Sequence, residues 1–378
     1  MKLKPIMTSA FMYAYRQRAR TSSDQTMKRA VHLHGRTSTS ETRPPDPSSL
    51  LVGNHLEQSV SKLYDWIHPK ANVLCLTGAG ISTASGIPDY RGHDGSYAKG
   101  HKPMIHDQFM NSAAMRQRYW GRAMMGWRDF AKAAPNEGHV ALAQLESQGC
   151  IGVTFEDSEE YYEQGIEEEE LGWAFTTGSQ SLSVLTQNVD GLHRKAGSTY
   201  LSELHGRNDV LKCMNCGSLH CRHEFHDLLE DLNNDWVQEI NLETGENSQQ
   251  NESALDRLRP DGDAHVKREV YDNVLVPPCP KCGVGFLKPD VVFFGDSVPR
   301  SRVNKCHAAV AASDGLLCIG SSLAVYSAFR FVQSAAKQNI PIAILNVGET
   351  RAEKSGLDVL KIESPIGPTL VAITDRIS

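Results

Sequence analysis

The stretch NVLCLTGAG, residues 72–80, decides the fold class of this chain. Asn72 to Thr77 is a continuous apolar run with the length and composition of a buried strand. Gly78 and Gly80 follow it directly, and a strand that runs into a glycine-rich turn is typical of the opening of a dinucleotide-binding unit. Glycines at this place let backbone N–H groups approach a pyrophosphate at the start of a helix.

Further apolar runs of strand length recur along the chain and alternate with stretches of helical periodicity. Strands are predicted at 182–186, 291–294, 315–319 and 341–346, and helices at 56–67, 138–148 and 326–338. Strands that alternate with helices favour a mostly parallel sheet covered on both faces. The sequence therefore predicts an α/β chain with a Rossmann-like, doubly wound sheet.

The composition narrows the classes of partner. The 378 residues carry a formal net charge of -6, which argues against a protein that coats nucleic acid. No apolar run approaches the ~20 residues that span a bilayer, so we expect no membrane partner. The oligomeric state is not encoded in any pattern, and a monomer is the simplest expectation.

The N-terminal region has its own composition. Residues 1–46 hold nine Lys or Arg and three Asp or Glu, and no acidic residue precedes Asp24. Arginines interleave with aromatic residues there, a pattern typical of an organelle transit peptide. A disordered basic tail without an address is the alternative. We assign residues 1–48 to this region and 49–378 to the main domain.

Two polar segments interrupt the alternating pattern. Nine of the sixteen residues from Phe155 to Glu170 are acidic, and a block of like charge predicts a solvated loop, which we bound at 152–180. A regulatory role for it is less expected than a tolerated surface insertion. The second segment spans 207–287, and within it Asn241 to Glu252 is predicted to be an exposed loop. The sheet-forming part then covers 49–206 and 288–378.

Two C-x-x-C pairs bracket the second segment. Cys213 with Cys216, and Cys279 with Cys282, place two sulfur atoms each on a tight turn, so four thiolates can converge on one zinc ion. Four sulfur ligands leave no open position for water, which predicts a structural zinc. The nine cysteines are an odd number at irregular spacing, unlike a secreted disulfide framework. A ligand from a nearby cluster is the alternative: His220, Cys221, His223 or His226. The expectation for that cluster is the surface of a helix.

Polar side chains follow several predicted strands. A second strand that runs into a glycine turn is predicted at 315–322, where the turn consists of Gly320, Ser321 and Ser322. Asn346 ends another predicted strand. The motif from Thr186 to His193 places amides and a carboxylate at the same edge. Open α/β sheets bind ligands at the carboxyl ends of their strands, so a nucleotide such as NAD is indicated. His193 and His205 are candidates for a general base, although a lone histidine is more often structural.

Taken together, these motifs resemble the sirtuin family, and the resemblance covers about residues 55–370. Gly78 to Arg91, Gln187 to His193, Leu204 to Gly206, both cysteine pairs, Gly320 to Ser322 and Leu345 to Gly348 occur in the family's order. Within the family the chain is similar to the class II branch, through Arg116 to Trp120, Pro260 to Asp263 and Lys288 to Asp296. A familiar mammalian member of that branch is mitochondrial, so the resemblance implies a mitochondrial matrix protein with a transit peptide.

The resemblance implies an NAD-dependent protein deacylase. Its substrates are acyl-lysine proteins, and its products are free lysine, nicotinamide and O-acyl-ADP-ribose. His205 is implied as general base, with Asn188 and Asp190 at the reacting end of NAD. The other implied NAD contacts are Gly78, Ala79, Gly80, Thr83, Ile87, Pro88, Asp89, Tyr90, Arg91, Gln187, Gly320, Ser321, Ser322, Asn346, Gly348 and Ile366. Phe293 to Gly295 and the segment after Ser322 are implied to grip the substrate backbone as an added strand.

The chain departs from the family pattern at two places. The acidic insertion is absent from that pattern, and Tyr97 lacks the arginine three positions on that marks specificity for succinyl and malonyl groups. The acyl preference is therefore left open. Two other functions compete: a protein ADP-ribosyltransferase that uses the same NAD site, and a zinc-ribbon binding module with a decayed NAD pocket. The presence of Asn188, Asp190 and His205 disfavours the binding module.

Overall fold

A computed structural model describes residues 54–92, 95–156, 179–244, 258–264 and 271–377. The basic N-terminal region and residues 157–178 lie outside these ranges, so the expectations for them are not addressed by the structure. The described residues belong to one compact unit. Within the described residues, no helix is long and apolar enough to cross a membrane.

The secondary structure follows the predicted alternation. The strands are β1 (Val73–Thr77), β2 (Val153–Glu156), β3 (Ser179–Leu182), β4 (Val184–Thr186), β5 (Leu201–Glu203), β6 (Gly206–Cys213), β7 (Leu219–Cys221), β8 (Leu287–Val291), β9 (Gly315–Ile319), β10 (Ile342–Leu345) and β11 (Leu360–Ile362). The α-helices are α1 (His55–Ile67), α2 (His106–Asn111), α3 (Ala113–Lys132), α4 (Glu137–Ser147), α5 (Leu192–Lys195), α6 (Arg222–Leu232), α7 (Asn234–Thr244), α8 (Arg300–Ala311), α9 (Tyr326–Lys337), α10 (Arg351–Lys354) and α11 (Ile366–Ile377).

The central sheet is parallel throughout, with the strand order β11-β10-β9-β1-β4-β5. From β1 the chain winds outward through β4 and β5, then returns to β9 and winds outward on the other side. The point where the winding direction reverses lies between β1 and β9, and such switch points hold the ligand crevice of doubly wound sheets. The predicted fold class is confirmed.

Both faces of this sheet are buried, as the alternation along β1 shows. Leu74 and Leu76 pack in the core beneath α8 and α9, while Val73 and Cys75 belong to the core formed with α1, α4 and α11. All five residues of β1 are buried, which explains why the strand reads as an uninterrupted apolar run.

A smaller module carries a separate antiparallel sheet in the order β7-β6-β8. Its core includes Leu211, Phe225 and Leu287, and it also takes in Tyr119 and Trp120 from α3. The module therefore draws on a helix that the sequence assigned to the sheet-forming part. Its sheet also runs past the boundary predicted at residue 287, because β8 continues to Val291.

Several predicted elements need correction. The strand expected at 291–294 belongs mostly to a loop, and only Val291 joins the module's sheet as the last residue of β8. The strand expected at 182–186 is interrupted at Ser183, because Leu182 ends a hairpin strand and Val184 begins a strand of the central sheet. An apolar run in the sequence indicates that a segment is buried, but it does not indicate which sheet the segment joins.

The two polar segments are also more ordered than predicted at their ends. Residues 153–156 and 179–182 pair as an antiparallel hairpin, so the loop assigned to 152–180 begins and ends in strands. Residues 241–244 are the last turn of α7 rather than a loop, and 245–252 lie outside the described residues. Local polarity does not distinguish a solvated loop from an exposed helical turn.

Candidate active site

The crevice between β1 and β9 is formed by two glycine-containing loops in direct contact. The Gly80 backbone N–H donates to the Gly320 carbonyl oxygen at 2.8 Å. A Cβ on Gly80 would lie 2.8 Å from that oxygen and 2.9 Å from the Gly320 Cα, closer than real side chains approach backbone. Residues 79–85 form a 3₁₀ helix, not the α-helix that usually follows a dinucleotide-binding turn.

Gln187 joins the ends of three neighbouring strands. Its Nε2 donates to the Ser321 Oγ at 2.9 Å and to the Thr77 carbonyl oxygen at 3.2 Å. Thr77 ends β1, Gln187 follows β4 and Ser321 follows β9, so residues distant in sequence meet at one edge. The sequence predicted Gln187 and Ser321 at this crevice, and the structure brings them together.

Asn188 and Asp190 meet on the hydroxyl of Ser82. The Asn188 Nδ2 donates to the Ser82 Oγ at 3.1 Å and to the Gly78 carbonyl oxygen at 3.1 Å. The Ser82 hydroxyl in turn donates to the Asp190 Oδ2 at 2.7 Å. A carboxylate and an amide are therefore held beside the first glycine loop.

The Asp190 side chain is partly buried beside the first glycine loop, in contact with the Ser82 hydroxyl. Burial raises its pKa, and hydrogen bonds from the Leu192 N–H and the Ser82 hydroxyl act in the opposite direction. The backbone N–H of Leu192 donates to Oδ1 at 2.9 Å, so each carboxylate oxygen has one donor within the protein. Each oxygen also retains accepting capacity toward a ligand.

His205 lies at the junction between the central sheet and the smaller module. Its Nδ1 is 2.9 Å from the Gln187 carbonyl oxygen and its Nε2 is 2.8 Å from the Ser327 Oγ. Burial lowers the pKa of His205 to about 4, opposed by the Gln187 hydrogen bond and reinforced by the cations Arg302 and Arg330. The imidazole is neutral near pH 7, the state in which it can accept a proton.

His193, the other candidate base, faces the interior. Its Nε2 is 2.9 Å from the Thr77 Oγ1, and its ring packs edge-on against His139 with 4.8 Å between ring centres. Burial lowers the pKa of His193 well below its usual value and that of His139 to about 4. His193 is thus a buried structural residue, and His205 is the histidine at the crevice.

The rest of the predicted first loop lines the approach to the crevice. The Thr83 hydroxyl donates to the Gly80 carbonyl oxygen at 3.0 Å, and the Asp89 carboxylate accepts the Gly92 N–H at 2.7 Å. Ile87 is buried, and the Arg91 guanidinium lies 4.9 Å from the ring centre of Tyr97. An arginine therefore does reach Tyr97, from a position before it in sequence. The loop also contains Ala79, Pro88 and Tyr90.

On the other side of the switch point, Ser322 follows β9, Asn346 and Gly348 follow β10, and Ile366 begins α11. The Asn346 Nδ2 donates to the Val347 carbonyl oxygen at 2.8 Å, and the Gly348 N–H donates to the Glu363 carboxylate at 2.9 Å. The Ile366 Cδ1 would lie 2.9 Å from a Cβ on Gly320, so it closes against the second glycine loop. The Ser322 carbonyl oxygen accepts the Arg351 N–H at 2.9 Å.

The segment predicted to hold the substrate backbone is already paired on one side. Phe294 forms a parallel bridge with Ile105, and its carbonyl oxygen accepts the His106 N–H at 2.9 Å. Phe293 is buried in the module core, whereas Ile105 and Phe294 expose 43% and 37% of their surfaces. Exposed apolar side chains beside a polar crevice are a feature of peptide-binding edges.

The two cysteine pairs form one cluster, as predicted. The sulfur ligand atoms of Cys213, Cys216, Cys279 and Cys282 all lie within 4.8 Å of one another. The Cys213 and Cys282 sulfurs are 3.7 Å apart, and those of Cys216 and Cys279 are 3.9 Å apart. A tetrahedron with Zn–S bonds of ~2.3 Å has edges of about 3.8 Å, so this donor set fits zinc.

Each pair lies on the same kind of turn. Gly217 and Gly283 both have φ of +73°, a conformation that glycine adopts without strain, and each N–H donates to the carbonyl oxygen of the first cysteine of its pair. Backbone N–H groups of Cys216 and Gly285 also point at Cys213 and Cys282 sulfurs, at 3.5 and 3.4 Å.

The neighbouring His and Cys cluster differs from its prediction. His220 and Cys221 lie on β7 rather than on a helix, and His226 is fully buried on α6. The His220 Nε2 bonds the Ser218 hydroxyl at 2.9 Å and lies 3.3 Å from the Cys279 sulfur. His220 therefore stands beside the four sulfurs, as a neighbour of one ligand.

Sequence reasoning left two residues of the crevice unassigned. Ser82 was part of the quoted glycine motif, and its position one turn after Gly78 is the signal that could have identified it. Ser327 carried no signal, because its contact with His205 joins residues 122 positions apart.

Comparisons with known proteins agree with this geometry. A family model described as the Sir2 family matches residues 78–155 and 174–327, and it skips the stretch between them that contains most of the acidic segment. The chain is 40% identical over 322 residues to the NAD-dependent protein deacylase Sirt4 of Drosophila melanogaster, covering 85% of this chain and 88% of that protein. It is 42% identical over 309 residues to an NAD-dependent protein deacetylase of Xanthomonas axonopodis pv. citri (strain 306), covering 82% and 88%.

Solved structures give the same architecture. One, described as the structural basis for the mechanism and regulation of Sir2 enzymes, has a TM-score of 0.58 and 27% identity, covering 85% of this chain and 100% of that one. Another, a Sir2 protein with a deacetylated p53 peptide and 3'-O-acetyl ADP ribose, has a TM-score of 0.58 and 24% identity, covering 84% and 98%. The second comparison supports the fold.

Proposed function

Because this chain belongs to the Sir2 family, we propose that it is an NAD-dependent protein-lysine deacylase. It transfers the acyl group of a modified lysine to ADP-ribose, and it releases nicotinamide and O-acyl-ADP-ribose. The observation that carries this proposal is the position of His205, whose ring is oriented by the Gln187 carbonyl oxygen at the crevice where Asn188 and Asp190 converge. Relatives at 40% and 42% identity are named deacylase and deacetylase.

The NAD phosphates are assigned to the two touching glycine loops. The loops Gly78 to Gly80 and Gly320 to Ser322 lie at the carboxyl ends of β1 and β9, where glycines without a Cβ let a pyrophosphate approach the backbone closely. Asn346, Gly348 and Ile366 flank the second loop and are assigned to the adenosine end. Thr83 and the residues from Ile87 to Arg91 cover the opposite end.

The nicotinamide end is assigned to Asn188, Asp190 and Ile87. A carboxamide presents N–H donors and a carbonyl acceptor, and Asp190 retains accepting capacity on both oxygens. Ile87 is buried, its N–H donates to the Ser82 carbonyl oxygen at 3.3 Å, and we assign it as an apolar wall of this end. Ser82, which binds both polar side chains, keeps the amide and the carboxylate at a fixed separation.

His205 acts as the general base in this proposal. A neutral imidazole with its proton on Nδ1 accepts a ribose hydroxyl proton at Nε2, once the acyl oxygen has replaced nicotinamide on the ribose. The chain must hold the acyl oxygen within ~3–3.5 Å of the ribose carbon and exclude water. Ile105 and Phe294, exposed at the edge of the crevice, are assigned to the substrate backbone.

We assign a structural Zn²⁺ to Cys213, Cys216, Cys279 and Cys282. The distances of 3.7 and 3.9 Å within the cluster support this assignment, because they match the edge of a zinc–thiolate tetrahedron. The ion when bound cross-links the two turns of the smaller module. It takes no part in the reaction.

The test is nicotinamide release from NAD with peptides carrying a panel of acyl-lysines from acetyl to lipoyl, with both products identified by mass spectrometry. Acyl-dependent release with O-acyl-ADP-ribose is expected, and it also identifies the preferred acyl group. His205→Ala should reduce turnover by roughly 10²–10⁴-fold with the fold retained, while the exposed His55→Ala serves as control. ADP-ribose attached to protein, without acyl dependence, would instead identify an ADP-ribosyltransferase.

We also propose that the protein is mitochondrial. The support is the basic, acid-poor composition of residues 1–46, which is typical of a transit peptide. Imaging of the full-length chain fused to a fluorescent protein, with N-terminal sequencing of the recovered product, tests this. A product that keeps Met1 and stays in the cytosol would contradict it.

A further inference from the structure

The hydroxyl of Ser327 contacts the nitrogen through which His205 acts. Ser327 lies in the first turn of α9, next to Tyr326, and its Oγ is 2.8 Å from the His205 Nε2. The other ring nitrogen, Nδ1, is 2.9 Å from the Gln187 carbonyl oxygen. Both nitrogens of the proposed base are therefore held by protein groups, and only one of the two partners is a side chain.

The chemistry of the two partners fixes the direction of each hydrogen bond. A carbonyl oxygen can only accept, so Nδ1 carries a proton and donates to Gln187. A neutral imidazole has one N–H, which leaves a lone pair on Nε2, and Ser327 must donate to it. The Gln187 carbonyl oxygen can only accept, whereas the Ser327 hydroxyl can both donate and accept.

That second capacity matters once the base has reacted. When His205 takes the proton of a ribose hydroxyl, the O–H bond breaks, an Nε2–H bond forms, and the bonding electron pair stays on the ribose oxygen. The ring is then a cation with a donor on each nitrogen, and Nε2–H needs an acceptor when the ribose oxygen moves away. The Ser327 hydroxyl can rotate to accept it.

We propose that Ser327 is a positioning residue for His205: it donates to Nε2 in the unliganded protein, yields that lone pair to the ribose hydroxyl when the substrates bind, and accepts from Nε2–H after proton transfer. This role rests on the proposed function, in which His205 is the base. A hydrogen bond to a charged group is stronger than one between neutral groups, so the hydroxyl stabilises the imidazolium more than the imidazole.

The surroundings of the ring make such a partner valuable. The charged groups that act on His205 are Arg302 from α8 and Arg330 from α9, and both oppose a positive charge on the ring. The Arg302 Nη1 is occupied with the Leu204 carbonyl oxygen at 3.2 Å. Burial also opposes the charge. Against these three effects, the Gln187 carbonyl and the Ser327 hydroxyl are the groups that favour it.

The first measurement needs no turnover. Nitrogen-detected NMR of the unliganded protein at pH 7.5 should show His205 as the tautomer with the proton on Nδ1, and Ser327→Ala should change the Nε2 chemical shift. A wild-type protein with the proton on Nε2 would overturn the proposal. This result stands whether or not the protein is a deacylase.

The second measurement uses the full-length chain with NAD and its best acyl-peptide. Ser327→Ala and Ser327→Cys should each lower kcat roughly three- to tenfold, with KM for NAD within about twofold, because the lost contact matters mainly after binding. Ser327→Thr keeps a hydroxyl and should restore kcat. Ser334→Ala, on the same helix with its Oγ bonded to Gln338, is the matched control.

The outcomes separate the two proposals. If the wild-type protein shows no acyl-dependent turnover, the proposed function is wrong. The NMR measurement then still tests the hydrogen bond between Ser327 and His205. An active wild-type protein in which Ser327→Thr is as slow as Ser327→Ala shows that side-chain size matters and overturns the role of the hydroxyl. Equal kcat for the wild type and the three Ser327 variants overturns it as well.

Discussion

Replacing Cys279 by serine should destabilise the smaller module and displace His205, the proposed general base, with it. Cys279 is a buried residue of the module core and one of four sulfurs that converge. A serine oxygen is a poor ligand for zinc in a thiolate site, so we expect the purified variant to carry substantially less than one zinc per chain.

The size of the effect follows from the length of chain that the metal closes. Cys213 and Cys282 stand 69 positions apart, and a cross-link over a loop of that length restricts the unfolded chain by about 4 kcal/mol at 25 °C. With an unfolding entropy of about 2.1 cal/mol/K per residue over about 330 residues, 1 kcal/mol corresponds to roughly 1.4 °C in Tm. Loss of the metal should therefore lower Tm by about 6 °C.

Loss of the zinc ion in Cys279→Ser should also disturb the crevice, because the module's sheet continues to His205. Strand β6 begins at Gly206, the residue after His205, and pairs with β8. The Val292 N–H also donates to the His205 carbonyl oxygen at 2.9 Å. Loosening β6 and β8 therefore shifts the histidine backbone, and we expect kcat to fall by at least tenfold in parallel with zinc content.

The assay is zinc by mass spectrometry, Tm by calorimetry and nicotinamide release on the same preparations. Cys221→Ser is the matched control, because Cys221 is exposed, lies in the same module and was an alternative ligand. Cys279→Ser with full zinc and an unchanged Tm would refute the ligand assignment. A loss of zinc in Cys221→Ser would instead show that the fourth zinc ligand comes from the alternative cluster.

Three further predictions concern the rest of the molecule. Burial lowers the pKa of His139 to about 4, so this histidine is neutral in the folded protein but ionises in the unfolded chain below pH ~6.5. The free energy of unfolding should therefore fall by roughly 1.4 kcal/mol per pH unit for each such histidine as the pH drops from ~6.5 toward 4. A Tm that is flat over this window contradicts the prediction. Gly80→Ala should force apart the two glycine loops, raising the Kd for NAD at least tenfold and costing about 1–3 kcal/mol of stability. Ala84→Ser, exposed in the same 3₁₀ helix, should change neither, and titration calorimetry with NAD and thermal unfolding measure the two effects. Glu156 and Ser179 are directly paired in the hairpin, so replacing residues 157–178 with Asn-Gly should close a two-residue turn. We expect Tm and deacylation rates to stay near those of the wild type. Loss of activity at unchanged Tm would mean that the segment contributes to the site.

The sequence by itself determined the parts of this protein whose signals are local. A strand must be apolar on both faces to be buried in a parallel sheet, which is why residues 73–77 and 315–319 were predicted within a residue or two. The cysteine spacing determined the four-sulfur cluster for a similar reason, because C-x-x-C fixes each turn before any long-range contact forms.

The tertiary structure decided what depends on contacts between distant residues. The predicted strand at 182–186 was divided between two sheets, and α3 was recruited into the core of the smaller module, because burial of an apolar run does not specify its partner. It also separated the two histidines, placing His193 against Thr77 in the interior and His205 at the crevice. The contact between Ser327 and His205 also depends on tertiary structure, because α9 packs on the sheet through contacts that no local pattern encodes. The physical reason is that apolar periodicity and turn chemistry act within a few residues, whereas hydrogen bonds across a folded crevice depend on how whole elements pack.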